Sequence, residues 1–376
     1  MKNLLFVCSM ISVLFACGDV EEAALKSTDT LVAVPNESYA ESRIRLNQTL
    51  EASPNNVKSL LESASLALEH YDYALAYSDA AKAFRIDSTS NRARMMYALA
   101  IINQGNRTVS DISRAQRYLQ IVVQNEAQNA KAMVGLANTY ALQQDFDEAR
   151  IWIDNALDQS PKFFDAHVLK GSMYKVLSAA LNGEDGSQSL SRAYMDSAIN
   201  TYSRVSQYYP DKPEIYIELG ILFQQLNNER CVDHFYSAVQ LEPKNIDYKY
   251  ALAYAYGLFG QERLAMHVYE EMQELDSLYS EAYCQMGQIY QKKYGELDSA
   301  LNMYREVVAI DPNHIDAYVN MGVIYAEKKA YTRALKSYSK ALSILPEDRG
   351  PFMPLSTFVE NQNLAREYAD EIKDKL

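Results

Sequence analysis

Thirty-four residues, Ile315 to Asp348, constrain this chain more than any other feature. They set large side chains at Tyr318, Met321, Tyr325 and Tyr338, small ones at Gly322, Ala334 and Ala341, and a breaker at Pro346. That spacing describes two amphipathic helices whose facing sides interlock, small against large, with the proline stopping the second. One such hairpin cannot bury its apolar face alone, so the pattern has meaning only if it recurs. It does recur. Gly287, Tyr290, Ala300 and Tyr304 repeat it one period earlier, with one residue added in the turn. Ala253, Ala265 and Tyr269 precede those, then Gly220, Phe235 and Ala238, then Gly171, Ala198 and Tyr202 in a copy stretched by about fifteen residues. Ala137, Ala149 and Ala156 give a regular copy, and weaker ones centre on Ala98 and Ala64. Eight copies follow, spanning 57–90, 91–129, 130–163, 164–212, 213–245, 246–279, 280–314 and 315–348. Lys170 and Ser63 stand where a large apolar residue is expected. Nothing alternates with period two over a useful length, so no strands are expected.

The placement of Tyr318, Met321, Gly322, Tyr325, Ala334, Tyr338, Ala341 and Pro346 closely resembles a tetratricopeptide repeat, at its positions 4, 7, 8, 11, 20, 24, 27 and 32. The resemblance implies an all-α, right-handed superhelical solenoid of about eight helical hairpins. Residues 37–56, with Ile44, Leu46 and Leu50 before Pro54, read as an N-terminal half-repeat. The segment 349–376, with a charged helix from Asn361 to Lys375, reads as a C-terminal cap covering the open end.

The first residues carry an address. Lys2 precedes an apolar run from Leu4 to Phe15, too short for a membrane span and suited to a signal peptide. The run ends Leu14-Phe15-Ala16-Cys17, which resembles a bacterial lipobox. The resemblance implies removal of residues 1–16 and lipid attachment to Cys17. Residues 17–36 then form a flexible tether, and Asp19, Glu21 and Glu22 resemble the surface-export signal of Bacteroidetes lipoproteins. The expected location is the cell envelope, most simply the outer membrane, on its periplasmic or surface face.

A net charge of −13 with no basic stripe argues against nucleic acid as a partner. Apolar content of 48 % with 29 tyrosines suffices for a long helical core. Cys231 and Cys284 lie two repeats apart on different helices and are expected to be small buried hydrophobes, not a disulfide. Catalytic and metal signatures are absent: five histidines are scattered, and His267 with Glu270 and Glu271 lacks a completing ligand. The turn Asn182 to Gly186 lacks a full calcium-loop pattern. No cofactor is expected.

Function is then expected in a groove. In the family, positions 2, 5, 9 and 12 of each first helix line the concave face. The residues so placed include Asn138, Ile217, Ile221, Tyr250, Tyr254 and Gln288. Position 2 is basic in the first three copies (Lys58, Arg92, Lys131) and acidic in the last five (Asp165, Glu214, Asp247, Glu281, Asp316). The carboxylate clamp of chaperone-binding members is not reproduced, since Val134 takes the place of its position-5 base. The expected function is a membrane-anchored, non-enzymatic scaffold or adaptor holding envelope proteins or peptide segments in its groove. The competing reading is a lipoprotein that captures glycans or other nutrients. Against it, the only tryptophan, Trp152, sits on a second helix. The stretched segment 178–191 is either a contact loop or a tolerated insertion.

Overall fold

The computed structural model describes residues 38–181, 187–346 and 355–373. The expected signal peptide, Cys17, the expected tether and residues 182–186 lie outside the described residues. Among those described, eighteen α-helices and no strand occur, and the chain divides into two compact units between Pro210 and Asp211.

The N-terminal unit holds α1 (Tyr39–Ala52), α2 (Val57–Glu69), α3 (Tyr73–Ile86), α4 (Asn91–Ile102), α5 (Val109–Asn125), α6 (Ala130–Leu142), α7 (Phe146–Gln159), α8 (Phe164–Leu181) and α9 (Gln188–Tyr208). From α2 onward they pack as consecutive antiparallel pairs, and α1 leans on α2 as a single helix. Starts are written locally. Asn56, Asp72, Ser90, Asn129 and Asp145 each accept the backbone N–H three residues on, and Thr108 forms a reciprocal box with Asp111. The interior is built from small residues, with Ala64, Ala76, Ala80, Ala83, Ala98, Ala115, Ala137, Ala149 and Ala156 fully buried. Ser63 replaces a large apolar residue because it is held in a polar relay: it receives Arg43 Nη1 from α1 at 2.7 Å and donates to Asp79 of α3 at 2.5 Å. Lys170 pairs with Asp154 at 2.7 Å.

The stretched fourth copy is more regular than a loop. Its added residues lengthen both helices of the α8–α9 hairpin, to 18 and 21 residues. Ser178 and Ser191 clasp the two, each hydroxyl donating to the other's carbonyl at 2.8 Å.

The C-terminal unit holds α10 (Pro213–Gln225), α11 (Arg230–Leu241), α12 (Ile246–Leu258), α13 (Glu262–Leu275), α14 (Ser280–Ile289), α15 (Leu297–Ile310), α16 (Ile315–Glu327), α17 (Tyr331–Ser343) and α18 (Leu355–Lys373). Here glycine faces an aromatic ring across the hairpin: Gly220 meets Phe235, Gly287 meets Tyr304 and Gly322 meets Tyr338. The extra residue of the seventh copy is taken up by widening the end of α14 into a π-turn, Tyr290–Tyr294, closed by Gly295 at φ 68°. The capping helix starts at Leu355, earlier than the expected Asn361, because Phe358 is needed in the core. With Ala365, Ala369 and Ile372 it packs on Val319, Tyr338 and Ile344.

Candidate functional site

The six residues predicted to line a groove divide between the two units and differ sharply in exposure. In the N-terminal unit, Asn138 is 1 % exposed, together with the buried Val134 and Ala141 on either side of it along α6. The expectation of an open groove at Asn138 is therefore corrected. Small neighbours let adjacent first helices close over this row, and α6 packs on both α4 and α8. Neither amide atom of Asn138 has a hydrogen-bond partner. A buried unpaired polar group costs about 1–3 kcal/mol. Asn138→Leu is accordingly expected to raise stability by about that amount, read as a higher urea midpoint at unchanged slope. A loss of stability would show that the amide is serving a buried water or another polar partner.

In the C-terminal unit the same row is open on α10 and α12 and at Gln288, and it closes at the buried Cys284 and Val319. Ile217 and Ile221 on α10 are half-exposed, as are Tyr250 of α12 and Gln288 of α14, while Tyr254 is exposed. Tyr250 is the hub of a ring cluster. Its centroid lies 6.3 Å from that of Tyr254, 6.2 Å from that of the buried Tyr269 and 5.9 Å from that of Tyr279. Gln285 Nε2 donates to its hydroxyl at 3.4 Å. Burial, assisted by Tyr279, holds the Tyr250 phenol well above the ordinary tyrosine range, so it stays neutral at any physiological pH. Tyr269 is the structural ring of this cluster; Tyr254 is exposed, and Tyr250 and Tyr279 are partly so. Gln288 donates weakly to the Cys284 sulfur at 3.9 Å.

The two thiols behave as buried hydrophobes. Cys231 and Cys284 are free, and burial pushes them to about 11 and about 12 respectively. His267 meets Glu271 at 3.2 Å, and the second oxygen of Glu271 takes Lys249, which is buried between α12 and α13. Among the described residues no group of His, Cys, Asp or Glu could hold a metal ion.

A polar cluster that sequence reasoning missed joins the last two hairpins to the cap. His314 caps α16 by accepting the Ala317 N–H through Nδ1 at 3.4 Å, which turns Nε2 toward Glu281 at 3.8 Å. Asp316 accepts from Asn361 of α18. Its carboxyl is raised above the usual carboxylate range, by burial first and by Glu281 as well, against the lowering pull of His314 and Asn361. A carboxyl whose folded pKa is raised favours folding below its unfolded value near 4, and that contribution fades as pH rises through the folded pKa. Asp316→Asn keeps the acceptor for Asn361. It is expected to melt a few degrees higher than the parent at pH 7, with the gap closing by about pH 4. A gap that does not depend on pH would contradict this.

Comparison with known proteins follows the geometry. The family model described as tetratricopeptide repeat matches residues 315–348 and, in a second version, 107–162, and a model described as TPR repeat matches 292–329. No curated protein matches the chain in sequence. The human IFIT1 dimer with m7Gppp-AAAA is similar in structure at TM-score 0.51 and 15% identity, over 89% of this chain and 78% of that one. A tetratricopeptide repeat protein from Parabacteroides merdae ATCC 43184 gives TM-score 0.47 at 17% identity, over 73% and 98%. MamA from Desulfovibrio magneticus RS-1 gives 0.38 at 20%, over 46% and 94%. At 15% identity the likeness to the IFIT1 structure is one of fold alone. Tetratricopeptide repeats are thus matched at 107–162 and 292–348, and the paired helices and small-against-large seam carry the same repeat architecture through the other hairpins.

Proposed function

We propose that this chain is a non-catalytic scaffold of a bacterial cell envelope, lipid-anchored through Cys17, that holds protein segments along the first helices of its C-terminal unit. One observation carries the site: Ile217, Ile221 and Tyr250 stay partly exposed and Tyr254 is 39 % exposed on α10 and α12, while the equivalent row of α6 is closed. Repeat proteins of this family bind protein partners, and half-exposed tyrosine and isoleucine on rigid helices supply area at low entropic cost. The anchor and the location rest on the apolar run before Cys17 and on its lipobox-like sequence. Trp152 is partly buried and packs against the core of the N-terminal unit.

The test has two arms. Cys17→Ser should move the protein from the membrane fraction to the soluble fraction when it is expressed with its leader in a bacterium. Cross-linked recovery from that envelope should return a defined protein with the parent and lose it with Tyr254→Ala, at unchanged helical content. An intact variant that recovers the same protein would remove the tyrosine row from the function. Recovery of oligosaccharide without protein would favour a nutrient-capturing lipoprotein.

A further inference from the structure

The open row of the C-terminal unit has a sign as well as a shape. Asp247 is exposed in the first turn of α12, and Glu281 is half-exposed in the first turn of α14, the same place one hairpin later. Tyr279, in the turn before α14, stands between them: burial raises its phenol to about 12, and both carboxylates add to the rise. Tyr279, Tyr250 and Tyr254 thus form a continuous ring surface flanked by two acids. Lys249 is committed to Glu271. The buried His314 lies 3.8 Å below one oxygen of Glu281, whose other oxygen accepts from Ser280 at 2.8 Å, so Glu281 is held in place at the edge of the ring surface. The row ends at Asp316, whose carboxylate is already taken by Asn361 of the cap.

We propose that this surface takes an extended, basic polypeptide segment in which Lys or Arg recurs at every third position, its cations seated beside Asp247 and Glu281 and its backbone lying over Tyr250 and Tyr254. Three arguments meet here. Packed helices stand about 8–10 Å apart, so equivalent carboxylates on α12 and α14 are separated by about that distance. A polyproline-II chain turns once in three residues of about 3.1 Å each, which sets every third side chain on one face about 9 Å apart. Aromatic-lined grooves suit such preformed chains, and tyrosine faces beside carboxylates suit cations. A molecule of net charge −13 steers basic segments toward it.

The inference rests on the scaffold reading and is tested separately from it. Fluorescein-labelled peptides of four Lys-Pro-Pro units and of four Glu-Pro-Pro units are titrated with the full chain, and anisotropy is read at low and at high salt. The lysine peptide should bind, the glutamate peptide should not, and added salt should weaken the complex. Asp247→Asn with Glu281→Gln should weaken binding about tenfold or more, and Tyr254→Ala comparably. Asp147→Asn on α7, 96 % exposed, removes the same kind of charge far along the sequence and should leave binding unchanged. Equal binding of both peptides, binding that survives the double carboxylate variant, or equal weakening by Asp147→Asn would each overturn the inference. Capture of an envelope protein through Tyr254 without binding of the lysine peptide would leave the scaffold standing and remove the basic segment.

Discussion

Replacing Gly322 by alanine is expected to cost about 3 kcal/mol, the upper end of the usual overpacking range. A Cβ built at Gly322 falls 2.3 Å from Tyr338 Cε1 and 2.6 Å from its Cδ1, far inside contact distance. The ring cannot yield, because Tyr338 is 1 % exposed and its other neighbour is Tyr368 of α18, at a centroid distance of 5.8 Å. Helix α16 must therefore lift off α17. Urea unfolding should show the loss, and hydrogen exchange should place it in 315–343 before the rest of the unit, as expected where repeats contact only their neighbours. Tyr338→Leu added to Gly322→Ala should recover part of the cost, since the smaller side chain vacates the space the new methyl needs. Simple additivity of the two would contradict the interlocking seam.

Removal of residues 355–376 is expected to have an effect at least as large. It strips Phe358 and Ile372, 0 % and 3 % exposed, from a cluster that includes Ile315, Val319, Ala341 and Ile344. Two such side chains contribute about 1.5–3 kcal/mol each, and their departure also exposes the faces they cover. The truncated chain should self-associate in size-exclusion chromatography with light scattering, and amides of α16 and α17 should lose protection. A monodisperse monomer with protection unchanged would mean that α18 is an appendage and not a cap.

Much of this fold was legible in the sequence because the repeat writes its packing into residue size. Gly322, Ala334, Tyr338 and Ala341 named the seam, and all four are buried as that reading requires. What stayed hidden obeys other physics. The hairpin turns place Tyr71, Gln144, Asn227 and Lys329 at positive φ, beside Gly260 and Gly295, so three of the six, Tyr71, Gln144 and Lys329, carry residue types that do not advertise a left-handed turn. The insertion in the fourth copy was silent about its form, since polar residues such as Ser178 and Ser191 suit a loop as well as a helix clasp. For the site, the row positions were readable but its openness was not. Asn138 and Tyr254 both stand at the ninth place of a first helix, and one is shut while the other is exposed. That difference is set by how closely neighbouring helices approach, which depends on Val134, Ala141 and the helices beside them and not on the residue itself.

The measurement that bears most directly on the scaffold is site-specific photo-crosslinking in the envelope of a host that acylates the chain. A photoreactive residue is placed at Tyr254 in one sample and at Tyr236 of α11 in another; both positions are exposed, at 39 % and 49 %. A discrete protein adduct from position 254 and none from 236 is the predicted result. An adduct from 236 with none from 254 would place the interaction on the second helices and contradict the account.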